Sequence, residues 1–67
     1  MRLVIDCSPE QMDVIADHLL DGKEIGMLPD ERHWMMAQAR KKFPKCKILS
    51  ADLDVMNGEW VLVINEG

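Results

Sequence analysis

The chain has no tyrosine and a single phenylalanine, Phe43, so it lacks the set of aromatic rings on which single-stranded nucleic acids stack. It has only four glycines, and no group of them forms a phosphate-cradling loop. Two cysteines, Cys7 and Cys46, are too few for a secreted disulfide framework and read as small buried hydrophobes. No apolar run approaches the roughly 20 residues of a membrane-spanning helix. The opening segment Met1-Arg2-Leu3-Val4-Ile5-Asp6 has three apolar residues in a row before a carboxylate, too short for a signal-peptide core. The cytoplasm is the expected compartment.

Reactive constellations are missing too. Cys7 stands just before Ser8, where a helix start can lower a thiol pKa. A nucleophile also needs a base, and the two histidines, His18 and His33, fall on separate helices with no spacing that brings either to it. No close pair among Cys7, Cys46, His18 and His33 has the spacing of a structural zinc site. Asp52, Asp54, Asn57 and Gly58 miss the register of a calcium loop, because with Gly58 as its sixth position the first ligand would be Leu53. Neither catalysis, nor a cofactor, nor a metal is expected.

What the chain does have is enough for one small folded domain. Hydrophobic residues make up 48% and charged residues 30% of its 67 residues, outside the range of disordered chains. At this length folding hides only roughly 60% of the surface of the unfolded chain, so stability is marginal and self-association would help.

Leu3-Val4-Ile5 reads as a short buried strand. Ser8, Pro9 and Gln11 then predict a helix start: Ser8 as cap, Pro9 in the first turn, Gln11 where a capping box places Glu or Gln. Met12, Ile15, Ala16, Leu19 and Leu20 follow at the spacing of an apolar helix face, and Gly22 stops a helix of about 9–21. Asp30 is a good cap for a second helix at about 31–43, with Met35, Met36, Ala39 and Phe43 on one side and Pro44 beyond its end. Cys46 to Val55 and Trp60 to Ile64 read as a hairpin around Asn57-Gly58, with a change of alternation near Ile48 to Ser50 that predicts a bulge.

The expected fold is α+β, a single domain over 1–67 in the order β-α-α-β-β. Two helices pack on one face of a three-stranded sheet, and the last strand is central. Because that strand is apolar on both sides, Trp60, Leu62 and Ile64 form a candidate dimer face, with Val61 and Val63 as the alternative set.

Charge is sorted into blocks. Residues 1–39 carry 8 acids against 3 bases, while Arg40, Lys41, Lys42, Lys45 and Lys47 lie in one octet without an acid. Glu10, Asp13, Asp17, Asp21 and Glu24 recur every three or four residues as an acidic stripe on helix one. Trp34 falls near Lys41 on the second helix, the composition of a binding hot spot.

These features favour a small non-catalytic module that modulates or inhibits a protein partner, working as a homodimer and away from membranes. Accessory proteins of bacteriophages and mobile elements are similar to it in size and composition, though not in motif. An alternative is nucleic-acid binding by the 40–47 patch with Trp34 stacking. The net charge of −4 opposes it. A further alternative is mimicry of nucleic-acid phosphates by the acidic stripe.

Overall fold

The computed structural model describes residues 1–67. Its elements are β1 (Arg2–Asp6), α1 (Pro9–Asp21), α2 (Glu31–Lys42), β2 (Lys47–Asp54) and β3 (Glu59–Asn65). The strands form one antiparallel sheet in the order β1-β3-β2, with the last strand central as its two apolar faces predict. The register shifts between Ile48 and Ser50, where the broken alternation placed a bulge.

Both helices lie on the side of the sheet that carries Leu3, Ile5, Trp60, Leu62 and Ile64, and these join Ile15, Met35 and Ala39 in one buried core. Paired residues of neighbouring strands share a face, so the open face carries Val4, Val61 and Val63. It corrects the expectation for Trp60, Leu62 and Ile64, which are buried beneath the helices instead of forming a dimer face. The alternation of β3 fixes which set points outward only relative to the other, and the helices chose the bulkier set.

Helix α1 has the bounds its local signals predict. The Ser8 side chain accepts the Gln11 N–H, Pro9 opens the first turn, and Gly22 closes the helix with φ 68°. The capping box does not form. The Gln11 amide instead donates to Gly26 O at 2.9 Å and accepts the Leu28 N–H at 3.0 Å, pinning the segment that follows α1. Glu24 belongs to that segment, beyond the end of the helix, so the stripe on α1 consists of Glu10, Asp13, Asp17 and Asp21.

The buried face of α1 is also rotated from the expected one. Gln11 and Ile15 are its buried residues, while Met12, Leu19 and Leu20 are exposed. At about 100° per residue this is roughly a quarter turn away from the apolar stripe.

Helix α2 ends at Lys42, and Asp30 makes no capping hydrogen bond because it sits in a helical conformation (φ −89°, ψ −2°). In the hairpin turn only Gly58 has positive φ (64°), so Asn57 does not share the left-handed conformation that Asn-Gly permits. Asp54 orders the turn by accepting the Asn57 backbone N–H at 3.2 Å and side-chain N–H at 2.8 Å. No helix is long and apolar enough to cross a membrane.

Candidate functional site

The most polar part of the interior is where both helices begin. Glu31, the first residue of α2, is 2% exposed. Its Oε2 accepts the Ser8 N–H at 3.0 Å and the Trp60 indole N–H at 2.8 Å, and its Oε1 accepts the Ser8 hydroxyl. The starts of both helices therefore meet at one buried carboxylate. Every buried side-chain polar atom of the molecule has a hydrogen-bond partner.

An open cleft of about 570 Å³ lies against this junction, lined by Ser8, Glu10, Pro29, Asp30, His33 and Trp34 among others. It holds serine, histidine and carboxylate, yet they are not connected as a nucleophile requires. The Ser8 hydroxyl gives its proton directly to Glu31, and its oxygen accepts the Gln11 N–H at 3.1 Å.

Cys7 is buried, and burial pushes its thiol up to about 11, with the negative charges of Glu31, Asp6 and Glu59 adding to the rise. The helix start that could have activated it is outweighed by lost solvation and carboxylates. Cys7 and Cys46 are both free and buried. No three side chains of the metal-ligating types gather in one place.

The structure brings only part of the predicted basic site together. Trp34, Lys41 and Lys42 line one cleft of about 430 Å³ between α2 and the β1 edge, with Gln38 and Val4. Asp6 and Glu59 stand in the same cleft, which offsets its positive field. Trp34 is half-buried and packs on the core, and its indole N–H donates to Asp6 O at 2.8 Å. Arg40, Lys45 and Lys47 are exposed but outside this cleft.

On α1, Glu10, Asp13, Asp17 and Asp21 are all exposed, and beside them runs a strip of Met12, Ala16, Leu19 and Leu20. Leu19 is 55% and Leu20 82% exposed. Sequence reading found both stripes but assigned the apolar one to the core. A third apolar surface, missed altogether, is a groove of about 400 Å³ between α2 and β2, walled by Met27, Met35, Ile48, Leu49, Ala51 and Trp60. The abrupt phase change at Leu49 was the one sequence signal for it.

Comparison with protein-family models, with curated proteins and with solved structures finds no significant match to this chain.

Proposed function

We propose that this protein is a non-catalytic protein-binding module that docks helix α1 into an apolar groove with a basic rim on a partner. The observation that carries this reading is the exposed strip of Met12, Ala16, Leu19 and Leu20 running beside the carboxylates of Asp13 and Asp17. Anchors at i, i+4, i+7 and i+8 are the spacing by which one helix fills another protein's groove. Leucines left in water cost about 25 cal/mol for each Å² that a partner could cover, so such a strip favours association. The adjacent acids set the sign of the partner's rim and its orientation.

A module without chemistry of its own acts by occupying or reshaping its partner's surface, which makes it a modulator or inhibitor. Two free cysteines suit a reducing compartment, the cytoplasm. Apolar side chains alongside the acids favour a protein groove over simple mimicry of phosphates. Nucleic-acid binding by Lys41 and Lys42 has less support, because Asp6 and Glu59 line the same cleft and the Trp34 N–H is already bonded.

The test places a photo-crosslinking residue at Leu20, and separately at Lys47 and Val63, in cells producing the protein. A protein adduct from position 20 that disappears in Asp13→Lys/Asp17→Lys is the expected result. Adducts confined to position 47 or made to nucleic acid, or none from position 20, would overturn the reading.

A further inference from the structure

We infer that two copies of the chain pair along the free edges of their β2 strands, making one continuous six-stranded sheet. The two edges of the monomer sheet are unequal. That of β1 is five residues long and is capped at one end, where Trp34 donates to Asp6 O. β2 is eight residues long, and no side chain bonds its outward backbone groups.

Which groups face outward follows from the ladder. Ile64 N–H donates to Met1 O at 2.8 Å and Cys7 N–H to Gly58 O at 3.0 Å, so the alternate residues of β3 between them, Leu62 and Trp60, bond β1. Val61 and Val63 therefore bond β2 through Asp52 and Ser50, and Ala51 and Leu53 direct their N–H and C=O groups away from the sheet.

The side chains along this edge are self-complementary in one antiparallel register. Centred on Ala51, it sets Ala51 against its own copy, Leu49 against Leu53, and Ser50 against Asp52, whose carboxylate can accept the serine hydroxyl. Centring on Asp52 puts that acid against itself, and centring on Leu53 puts Asp52 against Asp54, both costly pairings of like charge. Leu49, displaced by the bulge and 66% exposed, would gain an apolar neighbour, and the grooves holding Met27 and Trp60 in the two copies would run together. The usual protections of an edge strand would then act here as selectors of register, with the acids disfavouring the pairings centred on Asp52 and on Leu53.

Solution mass by light scattering, over a range of concentrations and at low and high salt, tests this. A salt-resistant mass of twice the chain is expected. Ala51→Pro removes an N–H that bonds nothing within the monomer, so it should halve the mass and leave the circular dichroism spectrum unchanged. Leu49→Glu, at an exposed position, should do the same and decides the matter if the proline variant fails to fold. A wild-type chain that stays monomeric throughout, or a dimer that survives Leu49→Glu, overturns the proposal.

Discussion

Glu31 Oε2 accepts the indole N–H of Trp60 at 2.8 Å inside the core, across 29 residues of sequence. This bond ties the first turn of α2 to the central strand. Through the same carboxylate, Ser8 joins the end of β1 and the start of α1 to it. One side chain thus holds four elements at a single point.

Substitutions at Glu31 should therefore cost more than their position in a first turn suggests. In Glu31→Gln one carboxylate oxygen becomes a donor facing donors, and leaving one of them unpaired costs about 1–3 kcal/mol. Glu31→Leu orphans the Ser8 N–H, the Ser8 hydroxyl and the Trp60 N–H together, each at about 1–3 kcal/mol where it stays unpaired, and should cost more than the glutamine variant. Urea unfolding measures both, and a leucine variant as stable as wild type would show that burying the charge cancels its hydrogen bonds.

Gly58 should resist replacement for two separable reasons. Its φ of 64° disfavours any side chain, and a Cβ there would stand 2.6 Å from Met12 Sδ. Gly58→Ala is expected to destabilise by about 1–2 kcal/mol from the backbone alone. Adding Met12→Ala should recover the steric part and leave the backbone part, a difference that paired unfolding curves resolve.

Cys7 should make the fold sensitive to alkali. Its folded pKa, about 11, is raised above the ordinary 9.0, so the unfolded thiol ionises first. The associated stability is complete below pH 9 and is lost as pH rises toward 11. Cys7→Ala should show a shallower fall in stability over that interval than wild type. A thiol reagent at neutral pH should modify both cysteines only after denaturant is added, and rapid labelling of native protein would contradict their burial.

Asp54 is shifted in the opposite direction. Hydrogen bonds from the Asn57 side chain and backbone hold its carboxyl below the ordinary 3.8. Whatever stability this turn gains is present above that value and is lost as pH falls through the folded pKa. In Asn57→Ala the Asp54 resonance, followed by NMR through an acid titration, should move back up toward 3.8. An unchanged midpoint would remove the side-chain bond as the cause.

Much of this architecture is legible locally because its signals act over a few residues. Ser8, Pro9 and Gly22 bracket α1 through caps and allowed backbone angles, and Asp54 to Gly58 make a turn from adjacent groups. The candidate site was half legible. The carboxylates of α1 and the bases of 40–47 were evident from spacing, but exposure of Leu19 and Leu20 was not. Periodicity shows that an apolar stripe exists and says nothing about whether the same molecule covers it. Gln11 was expected in a capping box, yet its side chain is buried, as is that of Glu31 in the first turn of α2.

The sequence by itself determined the elements, their order and the central place of β3, since these follow from short-range caps, alternation and a strand apolar on both sides. Only the tertiary structure decided which face of each element went inside. A buried carboxylate and amide are tolerated where distant donors and acceptors meet them, as Glu31 meets Ser8 and Trp60 and Gln11 meets Gly26 and Leu28, and the face of α1 that carries Gln11 is the one turned inward while its leucines face water.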